Sequence, residues 1–537
     1  MMPEGDTPGP NLSGPVVLLI IDGMGLCPST EGNALLAAST PHLCEIDARY
    51  IGTRLSSSGD AVGLRPGQMG NSNVGHLHLG AGRIVPQDGL RIDRAISDGS
   101  IFNNPELSRL MDQTRKSGAT LHIMGLVSDG RVHSDLRHLF ALLTMARRRA
   151  VGNVAVHAFL DGRDVSPGTA PKYLSALEEQ LRRSPDHRLA TISGRYYAMD
   201  RDRRWDRLDL ALAAILRGEG RRAGGVREAI EAWSAAGESD EFVLPTVLGG
   251  YSGVDPDDTF LTFNYRADRM RELVGALSHP GCGQVDTSPL RRGVRMVTMT
   301  RYDPEFSCPA AFELQDIPNT LGEVVSRARL RQLRLAETEK YAHVTYFFNG
   351  GREQPYPGED RVLVPSPKVD TYDTKPEMSA REVTDRLVEA IVGETYHFVV
   401  ANYANPDMVG HTGDFAAAVS AVETIDGELG RILAALREAE GVALILSDHG
   451  NVEKMINDSG AHTAHTAHEV PCWLVGEGFL RGGSSLLRRG GLSDAAPTIL
   501  DLLGLEVPRE MTGKGLLAAS DGGCDIWRGD VLDGCRE

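Results

Sequence analysis

The chain is poor in cysteine. It has seven, at positions 27, 44, 282, 308, 472, 524 and 535, and no two form a C-x-x-C pair. That argues against zinc-knuckle and thioredoxin-type motifs, and an odd, scattered set fits a reducing compartment better than a disulfide framework. Positive charge is also scarce: 56 Lys and Arg stand against 73 Asp and Glu, a net charge of −17. A general nucleic-acid binder is therefore not expected, because phosphate backbones recruit net basic faces. Small anionic substrates stay open, since a local arginine cluster can override the global field. Long apolar runs are missing too. The longest early one, "VVLLII" at 16–21, is far too short to cross a bilayer. No basic leader precedes it, and Pro/Gly-rich residues 1–15 read as a flexible tail. The expectation is a soluble, cytoplasmic protein that binds neither nucleic acid nor membrane.

What is present is ordinary for a large globular chain: 41% apolar and 24% charged residues over 537 positions, enough for two or three domains. Short apolar runs end in acidic or polar residues. "VVLLII" is followed by Asp22, "HFVVANYA" (397–404) by Asn405 and Asp407, and "VALILS" (442–447) by Asp448 and His449. These runs alternate only weakly, as buried parallel strands do. Helical periodicity follows or intervenes, most plainly over 414–440. The middle of the chain repeats the strand-then-helix style, with strand patterns in 119–130, 154–165, 258–270 and 294–303. The fold class expected is α/β, one mainly parallel sheet domain interrupted by a second α/β domain. The boundaries read as tail 1–15, first part 16–86, insertion 87–315, second part 316–516 and C-terminal tail 517–537.

In parallel sheets, ligands bind at the carboxyl ends of strands, and the chemistry-bearing residues gather there. "IDGMG" supplies Asp22, "PDMVGH" Asp407 and His411, and "SDHGN" Asp448 and His449. "AHTAHTAHEVP" supplies His462, His465 and His468. Mixed Asp and His ligands suit Mn²⁺ or Zn²⁺ better than Ca²⁺, and a set this size matches a two-metal site. Each motif alone has a plainer reading: a surface helix pair, a turn, a solvated loop. Their co-occurrence at strand ends favours the metal reading. In "GQMGNSNVGHLHLG" (67–80), Ser72 alone reads as a turn or N-cap residue. A helix beginning just after it would point backbone N–H groups at an anion, and a metal-bound serine there would be a nucleophile. The middle segment supplies Arg163 and Asp164 ("DGRD"), Arg195 and Arg201 ("GRYYAMDRDRRWDR"), and Arg266 and Arg269 ("NYRADR"). Guanidinium forks suit carboxylate and phosphate.

Together "MGNSNVGHLHLGAGRIV", "MGLVSDGRVHS", "DGRD", "QLRLAETEKYAHVTYFFNGG", "VPSPKVDTYDTKPEMSA", "NYANPDMVGHTGD" and "SDHGNVEKM" closely resemble the cofactor-independent (2,3-bisphosphoglycerate-independent) phosphoglycerate mutases of the alkaline phosphatase superfamily. The match runs from about Val16 to about Gly515, in the family's order. The resemblance implies interconversion of 3-phosphoglycerate and 2-phosphoglycerate. It implies an alkaline-phosphatase-like domain made by both chain ends, an inserted phosphotransferase domain, and a monomer. It implies two divalent metals, Mn²⁺ in most bacterial members, with Co²⁺, Zn²⁺ and Mg²⁺ as alternatives. By resemblance Ser72 is the phosphorylated nucleophile. Asp407, His411 and His465 hold one metal, and Asp22, Ser72, Asp448 and His449 the other. His133, Arg163, Asp164, Arg195, Arg201, Arg266, Arg269 and Lys340 contact substrate, with Asp164 and Lys340 also catalytic. Two positions depart from the family pattern: Asn73 stands where Glu is usual, and His468 where Asn is common, which makes His468 a rival of His465. A phosphomonoesterase, a sugar-phosphate mutase and a regulatory protein without catalysis are the competing readings.

Overall fold

The computed structural model describes residues 14–278, 285–290, 294–458, 460–483 and 485–519. The chain divides into two compact units: one ends at Pro86 and resumes at Asp316, and the other is Gln87–Gln315. The expected tails lie mostly outside the described residues. Leu517–Ala519, read from sequence as tail, is a strand antiparallel to Ser485–Leu487.

The discontinuous unit is built on an eight-stranded sheet. Its order is Glu359–Val364, Gln332–Glu337, Phe398–Tyr403, Val16–Ile21, Val442–Leu446, Val470–Val475, Ile51–Ser56, Gly490–Gly491. The first five are mutually parallel, and Val470–Val475 runs against its neighbours on both sides. Val16–Ile21 is central, pairing Val16 with Phe398 on one side and with Val442 on the other. Its side chains feed two cores. Val17, Leu19 and Ile21 pack with helices Ala380–Val392 and Phe415–Glu438. Val16, Leu18 and Ile20 pack with Leu79, Ala496 and Ile499. A strand covered on both faces has no polar side to alternate, hence the unbroken "VVLLII".

The inserted unit has its own eight-stranded sheet. Its order is Ala310–Phe312, Arg295–Thr300, Thr259–Thr262, Thr120–Leu126, Asn153–Leu160, His187–Gly194, Thr246–Leu248, Arg221–Ala223. All adjacent pairs are parallel except His187–Gly194 with Thr246–Leu248. Helices Leu136–Arg148 and Ala170–Leu181 contribute to one core, and Trp205–Leu212 and Arg271–Ser278 to another.

Among the described residues no helix is long and apolar enough to cross a membrane. Cys27, Cys308 and Cys472 are free thiols.

Candidate active site

In the discontinuous unit, four neighbouring parallel strands end at one place. Val16–Ile21 delivers Asp22, Gln332–Glu337 leads into the helix carrying Lys340, Phe398–Tyr403 leads into the helix carrying Asp407, and Val442–Leu446 leads to Asp448 and His449. Ser72 arrives from elsewhere, in the first turn of helix Ser72–Ala81. That helix starts at Ser72, not after it. Asn71, in extended conformation, is the N-cap, and its Oδ1 accepts the Val74 N–H at 3.1 Å. Ser72 is thus relieved of capping, and its hydroxyl turns to the strand ends. Two glycines let the helix settle there. A Cβ on Gly75 would lie 2.8 Å from Asp448 Cβ, and one on Gly80 would lie 1.9 Å from the Phe348 carbonyl oxygen.

Ser72 Oγ sits 2.7 Å from Lys340 Nζ, 3.0 Å from His449 Nε2 and 3.2 Å from Asp22 Oδ1. Lys340 Nζ also donates to Asp22 Oδ1 at 2.7 Å and Asp407 Oδ2 at 2.6 Å. Burial opposes the ammonium, but Asp22 and Asp407 overcome it and hold the Lys340 pKa above its ordinary value. Burial likewise opposes the carboxylates, yet Lys340 beside them keeps Asp22 and Asp407 well below the usual range. His449 is buried too, but Asp448, Asp407 and Asp22 raise it to about 9.

Two donor groups have the proximity a metal ion needs: Asp407 with His449 and His465, and Asp22 with Asp448 and His449, each within 4.8 Å. His411 adjoins the first, its Nε2 being 3.2 Å from Asp407 Oδ1 and 3.0 Å from His465 Nε2. The second imidazole nitrogens are tied to backbone: His465 Nδ1 to the Gly70 carbonyl at 2.9 Å, His411 Nδ1 to that of Thr463 at 2.8 Å. Such contacts fix which nitrogen faces a metal. Asp448 Oδ1 and Oδ2 are buried without a hydrogen-bond partner. His76 Nδ1 lies 3.2 Å from Asp448 Oδ2, but it is spent on the Ser72 carbonyl. A buried carboxylate with both oxygens unmatched among imidazoles is a set that fits a divalent cation.

His468 belongs elsewhere. Its Nδ1 meets Glu453 Oε1 at 2.9 Å, and the Glu453 carboxylate also accepts from the Gly25 and Asn451 N–H groups and from Thr466 Oγ1. His462 Nδ1 faces the Lys454 carbonyl. Asn73, exposed, contacts His343 Nε2 through its Oδ1 at 2.9 Å. Burial, with His76 and Lys340 nearby, pushes His343 down to about 3. Sequence reasoning missed His343 and two asparagines. Asn402 Nδ2 donates to Asp22 Oδ2, and Asn451 Nδ2 to Asp407 Oδ1, both at 2.9 Å. The signal for Asn402 is a polar residue inside a fully buried strand.

The inserted unit gathers the remaining candidates, again at the ends of adjacent parallel strands. Arg195 is 2% exposed, and its Nη1 bridges Asp161 Oδ1 and Asp164 Oδ2, each at 2.6 Å. His133 Nδ1 is 3.5 Å from Asp268 Oδ1 and its Nε2 3.9 Å from Asp164 Oδ2. Burial pushes His133 down to about 4 against the pull of Asp268, so the ring is neutral at pH 7. Arg201 and Arg266 both pair with Asp268 at 3.2 Å. Arg269 donates to the Met199 carbonyl, and Arg163 pairs with Glu241. Asp161 and Asp268 were missed. Asp268 is the acid between the two arginines of "NYRADR", a visible signal. A third donor group, Asp93 with Asp135 and His138, is threaded by Arg137, which bonds both carboxylates, so its charge is already answered.

Comparison with known proteins agrees over nearly the whole chain. The family model of the Metalloenzyme superfamily matches residues 14–507. The 2,3-bisphosphoglycerate-independent phosphoglycerate mutase of Moorella thermoacetica is 51% identical, over 94% of this chain and 98% of that one. The protein of the same name from Desulforudis audaxviator is 52% identical, over 94% and 99%. Among solved structures, Leishmania mexicana phosphoglycerate mutase at low cobalt concentration matches with a TM-score of 0.70 at 29% identity, covering 96% of this chain and 99% of that one.

Proposed function

The chain belongs to the 2,3-bisphosphoglycerate-independent phosphoglycerate mutases, and from that premise we propose how its own residues carry out the reaction. The reaction is the interconversion of 3-phosphoglycerate and 2-phosphoglycerate, a step of glycolysis and gluconeogenesis, and the enzyme uses divalent metal. In our reading Asp407, His411 and His465 hold one ion, and Asp22, Ser72, Asp448 and His449 the other. Mn²⁺ is the metal we favour, with Co²⁺, Zn²⁺ and Mg²⁺ as alternatives. When bound, the ions lower the pKa of the serine hydroxyl and neutralise phosphoryl oxygens. The proposed enzyme is a cytoplasmic monomer.

The observation that carries this reading is Ser72 Oγ, within 3.2 Å of an ammonium, an imidazole and a carboxylate at the start of a helix. Ser72 Oγ, ionised before the cycle begins and again at its end, attacks phosphorus in line, and the bond from phosphorus to the 3-oxygen breaks. Lys340 Nζ donates to the transferring group as charge spreads over it. The helix N-terminus adds backbone N–H groups of the same sense. Arginines of the inserted unit keep the glycerate by its carboxylate, with Arg195 the most firmly preset of them. Asp164 gives a proton to the 3-oxygen and later takes one from the 2-hydroxyl. The 2-oxygen then recovers the phosphoryl group and Ser72 is free again. Neutral His133 offers a hydrogen bond without adding charge.

Ser72→Ala in metal-replete buffer is expected to lose turnover by at least about a thousandfold. Retained turnover would exclude the phosphoserine route. Free phosphate appearing in place of 2-phosphoglycerate with the unaltered protein would exclude a mutase.

A further inference from the structure

The inserted unit contains a buried polar chain that the chemistry above leaves unused. It starts at Asp258, just before strand Thr259–Thr262, and crosses to His187–Gly194. Asp258 Oδ2 lies 3.0 Å from His122 Nε2, His122 Nδ1 lies 2.9 Å from His157 Nε2, and His157 Nδ1 lies 2.9 Å from Thr191 Oγ1. All four residues are at least nine-tenths buried. One assignment of protons satisfies every link. The Thr191 hydroxyl donates to His157 Nδ1, His157 Nε2–H to His122 Nδ1, and His122 Nε2–H to the carboxylate. Backbone N–H groups of Thr120 and Asp255 donate to the same carboxylate. Tyr251 packs edge-on against both imidazoles, and Phe260 stacks on His122.

The chain ends on a β-bulge. Val156 pairs with Leu189, but the next residue, His157, pairs with Thr191, so Ala190 is an extra residue in its strand. Beyond it the two strands run level and finish together at Leu160 opposite Gly194. Arg195 follows at once and meets Asp161 and Asp164 from the neighbouring strand's end. Without the extra residue Ser193 would stand opposite Leu160. Arg195 would then fall one position further on, with its side chain on the other face. An apolar contact at the bulge would tolerate such a slip. A directional chain of three hydrogen bonds does not, because sliding it strands buried polar groups.

We propose that the Asp258–His122–His157–Thr191 chain clamps this bulge, which makes His157 and Thr191 positioning residues for Arg195 and so for glycerate binding. The inference rests on the reading of Arg195 as a substrate contact. Two substitutions separate a hydrogen-bonding role from packing. Thr191→Val keeps the shape and loses the hydroxyl, and Thr191→Ser keeps the hydroxyl and loses a methyl group. In the full-length, metal-loaded enzyme, Thr191→Val is expected to raise KM for 3-phosphoglycerate on the order of tenfold. The change in kcat should be smaller and the metal content unaltered. Thr191→Ser should stay near the parent. An unchanged KM in Thr191→Val, or Thr191→Ser as impaired as Thr191→Val, overturns the clamp. Should Thr191→Val not fold, Thr191→Ser against Thr191→Ala carries the same contrast. Arg195→Lys is measured alongside. If it leaves KM unchanged, the reading of Arg195 falls and takes the clamp with it. If it raises KM while Thr191→Val does not, only the clamp falls.

Discussion

Two residues beside the nucleophile test how the site is tuned. Asn73 follows Ser72 directly, yet its side chain turns away to His343. A carboxylate there would face an imidazole now held down to about 3, and opposite charge favours the charged ring. Asn73→Glu is therefore expected to raise the His343 pKa, seen by NMR titration, and to leave metal content alone. A large drop in metal content would mean that position 73 acts on the centre directly. His78 lies about one and a half turns further along the same helix. Its Nδ1 faces the Val74 carbonyl at 2.7 Å, and its Nε2 accepts the Val85 N–H at 3.0 Å. That arrangement needs a neutral ring, and burial pushes its pKa down to about 4. The unfolded chain takes up this proton near 6.5, whereas the folded chain refuses it until about 4. The stability His78 contributes is therefore whole above 6.5 and is lost as pH falls between those values, to a limit of about 3 kcal/mol. His78→Gln keeps an acceptor for Val85 and cannot titrate. Its urea midpoint should fall less than the parent's between pH 7 and 4.5, and an equal fall would remove His78 from the account.

At the scale of elements, helix Ser72–Ala81 is placed by what it lacks. Gly75 leaves room for Asp448, and a Cβ there would sit 2.8 Å from Asp448 Cβ and 3.0 Å from its carbonyl oxygen. Gly75→Ala should leave the helix intact, since alanine favours it, but push the Asp448 loop. We expect weaker metal binding by calorimetry with little loss in melting temperature. Unchanged metal affinity would show that the loop yields at no cost. Such close approaches are what sequence reading misses. The strands are legible because both faces of each sheet are covered, so the apolar runs are continuous and end abruptly at Asp22, Asp407 and Asp448. The helix start was misread by one residue because Asn71 and Ser72 are both good caps, and only the fold decides which one turns inward. The roles of Asn402, His343 and Asp268 depend on partners brought from distant segments or on one loop's shape. The His122–His157–Thr191 chain looks in sequence like scattered polar residues within strands.

At the scale of the molecule, two units with separate sheets and cores answer metal differently. Buried Asp22, Asp407 and Asp448 all lie in the discontinuous unit. Metal binding only the folded form stabilises it by about 2.7 kcal/mol at a hundredfold excess over Kd, a rise of about 5 °C for a unit of this size. Scanning calorimetry should resolve two transitions, of which chelation lowers one and leaves the other in place. A single transition, moved whole by chelation, would mean that the units unfold as one.

The central strand Val16–Ile21 has a consequence in time. Its neighbours on both sides come from the far end of the chain, and Met24, just beyond it, donates its N–H to Ser447 Oγ, 423 positions later. At about 5–20 residues per second of synthesis, six aliphatic side chains wait roughly 20 to 85 seconds on the ribosome before their partners exist. The inserted unit, whose strands all lie between Gln87 and Gln315, can finish folding first. The nascent chain thus carries an unpaired hydrophobic strand beside an already folded body, the state in which a chaperone has most to do.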